Sequence, residues 1–192
     1  MSLRELTKEN HQNAERQEFV KILMSGNIDP EIYAIFLANQ WPMYDILEDC
    51  ASVAGLLDEL PDIRRTHAIY QDWKELWTKD ELPPRLEVTE KYTAHIMNIR
   101  DDNTKLFAHI YTRHMGDLSG GRMIAKKVTG GQRLYTFKDT DTLKTKIRER
   151  LSDDMADEAK ICFDFATDTF REMMALAKAP NYSMFKRVGD PF

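Results

Sequence analysis

The stretch Tyr111-Thr112-Arg113-His114-Met115-Gly116-Asp117-Leu118-Ser119-Gly120-Gly121-Arg122 constrains this chain most. It carries three of the chain's eight glycines. Its flanks have helical spacing, with Leu106, Phe107, Ile110 and Tyr111 before it and Met123, Ile124, Ala125 and Val128 after it. Each glycine inside a helix costs about 1 kcal/mol relative to alanine, so three cost roughly 3 kcal/mol. At about 100° per residue, Gly116, Asp117, Gly120 and Gly121 share one face about 140° wide. That face is bare backbone carrying one carboxylate. It suits either helix packing through small residues or a large flat ligand lying close to the main chain. An ATP-cassette reading of Leu118–Arg122 fails, because no Gly-x-x-x-x-Gly-Lys-Ser/Thr loop accompanies it. A dinucleotide fingerprint fails because helical, not strand, periodicity precedes the glycines.

The length of 192 residues is enough for one domain with a sizeable core. With 42% hydrophobic and 31% charged residues, the chain is globular rather than disordered. A net charge of −5 argues against a general nucleic-acid binder. Cys50 and Cys162 are isolated and read as small core residues in a reducing compartment. No apolar run is long enough for a membrane span. Charged residues recur from Arg4 onward, against a signal peptide. A cytoplasmic protein is expected.

In chain order, Ser2-Leu3-Arg4-Glu5 is a capping box that opens a first helix, and Gly26 offers its C-cap. Arg4, Lys8, His11 and Glu15 form one stripe on that helix. The stripe is either a solvated face with a chance histidine, or a metal ligand, His11, with two cations placed to meet anions. Asp29-Pro30 starts a second helix that Pro42 should kink. Asp62 can cap a third helix, and a fourth runs from about Glu87 to Arg100. The glycine-bearing helix follows to about Val128, and Gly130-Gly131 ends it. Leu134–Phe137 reads as a loop. Asp139 or Asp141 can cap a helix carrying Lys144, Lys146, Arg148 and Arg150. The last helix runs from about Asp154 to Lys178. The expected fold is a single all-α bundle of roughly seven to nine helices, with the domain over residues 1–180 and an irregular C-terminal tail over 181–192.

Taken together, Tyr111 through Gly121 and, about a hundred residues earlier, Thr7-Lys8-Glu9 with His11-x-x-Ala14-Glu15 resemble the haem oxygenase family. The first motif is similar to the family's distal-helix signature, and the resemblance runs over nearly the whole chain. It implies haem b, as both substrate and cofactor, held between the first helix and a kinked glycine-rich distal helix. It implies that His11 ligates the iron and that Glu15 orients it. It places Asp117 in the distal pocket, holding a water that delivers protons, with Tyr44 and Arg113 in its hydrogen-bond network. Gly116 and Gly120 would let the helix lie on the haem face. Arg4, Lys8, Lys144, Arg148 and Tyr111 would lie near the propionates, and Phe163 would be an aromatic wall.

The implied reaction uses O2 and external electrons to open haem at a meso carbon, the alpha one, to biliverdin, carbon monoxide and ferrous iron. A histidine ligand suits it, lacking the electron push of a thiolate that favours O–O cleavage. Arg122 stands where the family usually has glutamine. The animal enzymes' hydrophobic C-terminal anchor is absent, which resembles the branch that uses ferredoxin as donor. A bilin reductase is an expected downstream partner. The competing binding-class reading is a haem carrier or sensor without turnover, for which Asp117 and the glycines are unnecessary. A di-metal carboxylate protein would need paired Glu-x-x-His sites, and the sequence has none.

Overall fold

The computed structural model describes residues 2–179, so the expected tail over 181–192 lies outside the described residues. Within them the regular structure is helical. The helices are α1 (Leu3–Leu6), α2 (Lys8–Glu15), α3 (Glu18–Ser25), α4 (Pro30–Val53), α5 (Thr66–Leu76), α6 (Glu87–Asn98), α7 (Asn103–Ser119), α8 (Gly121–Ala125), α9 (Thr140–Glu149) and α10 (Ala156–Ala177), with 3-10 turns at Arg133–Tyr135 and Asp153–Met155. None is long and apolar enough to cross a membrane.

The first helix is not continuous. The Ser2/Glu5 capping box forms, and Gly26 closes α3 in the left-handed conformation (φ 81°). Between them the chain breaks twice. At Thr7, the side-chain hydroxyl bonds back to the Leu3 carbonyl at 2.9 Å and competes with helix continuation. At Gln17, the backbone turns extended. Arg4 therefore stands on α1, while Lys8, His11 and Glu15 stand on α2. The glycine-bearing helix is also shorter than its spacing predicts. α7 stops at Ser119, and α8 covers only Gly121–Ala125. The two left-handed glycines Gly130 and Gly131 come later, in the following turn. These breaks give ten helices among the described residues instead of seven to nine.

α4 and α10 organise the bundle. α4 packs on α5, α6 and α7, and α10 packs on α2, α3, α6 and α7. α4 is the most buried helix, and it continues through Pro42. Aromatic contacts link three of these elements: Phe19 of α3, Tyr33 and Phe36 of α4, and Phe170 of α10 have ring centroids 5.4–6.3 Å apart.

α4 also supplies buried polar caps to its neighbours. Asn39 Oδ1 accepts from the Leu86 amide and the Thr89 hydroxyl, both at 2.9 Å, at the start of α6. Glu48, fully buried, accepts from the Arg65 and Thr66 amides at 2.6 and 3.1 Å and from the Thr66 hydroxyl at 2.7 Å. Glu48 thus satisfies the free amides at the start of α5. Asp62, expected to cap that helix, instead occupies a turn residue with φ 62°. Glu48 also accepts from His114 Nε2 of α7 at 2.9 Å. Burial pushes the Glu48 carboxyl up, but the bonds from His114, Thr66 and Arg65 outweigh it and hold it below the usual range.

Removing an acceptor from this node leaves several donors unpaired in the core. Glu48→Gln should lower the free energy of unfolding by about 3–5 kcal/mol, the range for breaking a buried ion pair. Urea denaturation followed by circular dichroism measures it. An unchanged midpoint would show that the node contributes nothing net.

Candidate functional site

The glycine face divides in two. A methyl group on Gly116 would meet nothing within 4 Å, and one on Gly120 would meet only the Gly116 carbonyl at 3.6 Å. A methyl on Gly121 would lie 2.4 Å from Tyr135 Cδ1. Gly121 is therefore the small-residue packing contact, made with the buried Tyr135 ring. Gly116 and Gly120 present bare backbone to open space.

Asp117, half-buried, stands on this face. Its Oδ2 accepts the Tyr44 hydroxyl proton at 2.6 Å. Burial pushes Asp117 up, and the His114 ring, the Tyr44 bond, Arg113 and Arg65 bring it back only part of the way, to about 6. Burial and the neighbouring Asp117 charge hold the Tyr44 hydroxyl well above its usual range, so it stays a donor.

Arg113, expected to pair with Asp117, makes its hydrogen bonds elsewhere. Its Nη1 donates to Gln40 Oε1 at 3.0 Å and its Nη2 to Met43 Sδ at 3.2 Å. Its guanidinium lies over the Tyr92 ring at 4.1 Å and the Tyr44 ring at 5.3 Å. It acts on Asp117 through space and by holding Tyr44. Gln40, Tyr44 and Glu48 recur every four residues on one face of α4. They meet Arg113, Asp117 and His114 of α7 as three polar rungs. The sequence reading missed Gln40, Glu48 and His114. That four-residue polar period within an apolar helix was the available signal.

His11 lies on α2 with half its side chain exposed. Its Nδ1 sits 3.4 Å from Glu15 Oε2, and the edge of its ring meets Phe163 of α10 at 5.4 Å and 88°. Nε2 has no hydrogen-bond partner among the described residues. α2 and α7 both pack on α10. Tyr111 of α7 meets Thr7. Burial raises the Tyr111 hydroxyl, and its bond with Thr7 and the charges of Arg4 and Arg148 oppose that rise. The structure thus brings Tyr111, Arg4 and Arg148 to one place.

The basic face of α9 splits. Lys146 donates to the Glu59 carbonyl at 2.8 Å, and Arg150 to the Leu56 carbonyl at 2.6 Å. Lys144 and Arg148, like Arg4 and Lys8, have no ion-pair partner among the described residues. Arg122 is exposed. A planar, anionic, metal-centred ligand fits this set of groups. There is free space against bare backbone at Gly116 and Gly120, an imidazole nitrogen with no competing partner, and two unpaired cations, Arg4 and Arg148, near Tyr111.

The profile of the heme oxygenase family matches residues 1–179. The chain is 30% identical to heme oxygenase 2 of Oryctolagus cuniculus over 93% of its own length and 67% of that protein's. It is 26% identical to heme oxygenase 1 of Synechocystis sp., covering 97% of this chain and 86% of the relative. The crystal structure of the Synechocystis heme oxygenase-1 in complex with heme superposes with a TM-score of 0.81 at 24% identity, over 97% of both chains.

The two kinds of glycine should respond oppositely to the same change. Gly116→Ala should leave the unloaded protein as stable or stabilise it by about 0.5–1 kcal/mol, the helix preference for alanine. Gly121→Ala should destabilise it by about 1–3 kcal/mol through overpacking on Tyr135. Thermal unfolding of both variants tests the division, and equal losses would erase it.

Asp117 gives a pH signature in the same assay. Its carboxyl titrates at about 6 in the folded chain against 3.8 for an unperturbed aspartate, so the folded state holds the extra proton between those values. Stability from this group is therefore full below pH ~4 and is lost as pH rises through about 6. Asp117→Asn should be more stable than the parent above pH 6, with the difference vanishing below pH ~4. A gap that grows on acidification would reverse the sign and refute the assignment.

Proposed function

The chain belongs to the haem oxygenase family, and from that premise we propose that it seats haem b between α2 and α7 and opens it at the alpha meso carbon. The products are biliverdin, carbon monoxide and ferrous iron, made with O2 and electrons from an external donor of the ferredoxin class. The observation that carries this reading is the open backbone at Gly116 and Gly120 beside a carboxylate held by Tyr44.

Bound haem supplies the iron that reacts with O2 and the ring that is oxidised. The chain supplies position and protons. His11 Nε2 would ligate the iron, and the Glu15 carboxylate beside Nδ1 would fix the ring's orientation and raise its basicity. Phe163 braces the same ring from the side. Arg4, Lys8, Lys144 and Arg148 would pair with the propionates, and the planar guanidinium of Arg148 is suited to a two-point bond. Tyr111 lies near Arg4 and Arg148.

With no side chains, Gly116 and Gly120 would let bound haem lie close to the α7 backbone. Asp117 has one oxygen taken by Tyr44, so Oδ1 is left to hold a water. Because Asp117 titrates near 6, its carboxylate can accept and return a proton at neutral pH without leaving its place. Gln40 and Arg113 fix Tyr44 from behind. We further propose a cytoplasmic protein whose biliverdin is consumed by a bilin reductase. Family membership and the lack of a membrane-spanning helix among the described residues support that placement.

The test is to add haem and a reducing system in air and follow the visible spectrum. Haem absorbance should give way to biliverdin. A bound haem that persists unchanged would instead make the protein a carrier or sensor. His11→Ala should lose the histidine-ligated spectrum and recover activity with added imidazole. Asp117→Ala should bind haem like the parent while biliverdin formation falls by about two orders of magnitude, the low end for a lost proton-transfer group. Parental yield from Asp117→Ala would remove Asp117 from the chemistry.

A further inference from the structure

Outside the set of groups proposed to hold haem, three ligating side chains from three helices converge inside the bundle. His95 lies on α6, His109 on α7 and Glu158 in the first turn of α10. His95 Nε2 is 2.5 Å and His109 Nε2 2.9 Å from the same carboxylate oxygen, Glu158 Oε1. The three ligand atoms all lie within 4.8 Å of one another. His109 is fully buried and Glu158 nearly so, while the His95 side chain is 24% exposed and forms the way in. Burial pushes the Glu158 carboxyl up, but the two imidazole bonds outweigh it and hold it at about 2. The group is thus a carboxylate at neutral pH.

Behind the cluster, His109 Nδ1 lies 3.0 Å from the Tyr92 hydroxyl. Metal-bound histidines almost always have such a polar partner on the second ring nitrogen, which fixes the tautomer and the ring plane.

We propose that His95, His109 and Glu158 bind a divalent transition-metal ion of the zinc class, with a fourth position left to water. Two imidazole nitrogens and one carboxylate oxygen are an established donor set for such ions. Bonds of about 2.0–2.2 Å in a tetrahedron put ligand atoms roughly 3.3–3.5 Å apart. Reaching that spacing takes an outward swing of His95 of about 1 Å, toward its exposed side. Each imidazole then carries its proton on Nδ1, and His109 donates to Tyr92. The ion ties α6, α7 and α10 together.

A simple hydrogen-bonded cluster would also satisfy these groups, so the experiment separates the two. The haem-loaded full chain, its His11 already occupied, is dialysed against Zn2+ and then against buffer, and zinc and protein are counted. One zinc per chain should remain in the parent and in His11→Ala. None should remain in His95→Gln or Glu158→Gln. At zinc a hundredfold above its dissociation constant, the parent's thermal midpoint should rise by about 5–10 °C and that of His95→Gln should not. Zinc-edge X-ray absorption on the parent needs no variant, and should show two imidazoles and a light oxygen ligand. Absence of retained zinc, zinc kept by His95→Gln, or an edge without imidazole scattering overturns the proposal.

Discussion

The bonds around Glu48 set much of the site's geometry. A fully buried carboxylate is expensive unless its oxygens are filled. Here they are filled by the opening amides of α5 and by His114 of α7. Three helices are fixed to one another at that point. Tyr44 is one turn before Glu48 on α4, and Asp117 is three residues after His114 on α7. The register that satisfies Glu48 therefore brings the Tyr44 hydroxyl to the Asp117 carboxylate. A slip of one residue along either helix would unpair both.

The glycine-bearing stretch answers to two demands at once. Gly121 yields room to the Tyr135 ring, whereas the space beside Gly116 and Gly120 is open. The helix-packing reading of the face holds for Gly121, and the open backbone that the ligand reading needs is found at Gly116 and Gly120. The division falls where the helix breaks, between α7 and α8. Helical spacing alone placed all three glycines on one continuous face and could not register that break.

The charges show a similar sorting. Cations on α9 alternate between those spent on backbone carbonyls, Lys146 and Arg150, and those left unpaired, Lys144 and Arg148. The carbonyls that receive them belong to residues 56 and 59, far away in the chain. Arg113 is a further case. It belongs to the polar network around Asp117, but it works by stacking on Tyr44 and bonding Gln40 rather than by touching the carboxylate.

The sequence by itself determined the all-α class, the capping box at Ser2, the cap at Asp29, and the glycine stop at Gly26, and it narrowed the α9 cap to Asp139 or Asp141, of which the structure uses Asp139. These depend on neighbours within four residues, which fix local backbone conformation. It also marked the Tyr111–Gly121 stretch, because glycines inside a helix carry a local cost that needs an explanation. Tertiary structure alone decided what crosses between helices. It caps α5 with Glu48 instead of Asp62, and interrupts the first helix where Thr7 bonds back to Leu3. It gathers His95, His109 and Glu158 from positions up to 63 residues apart. Such pairings are set by packing of whole helices in three dimensions, and a local period such as that of Gln40, Tyr44 and Glu48 marks a polar face without specifying its partners.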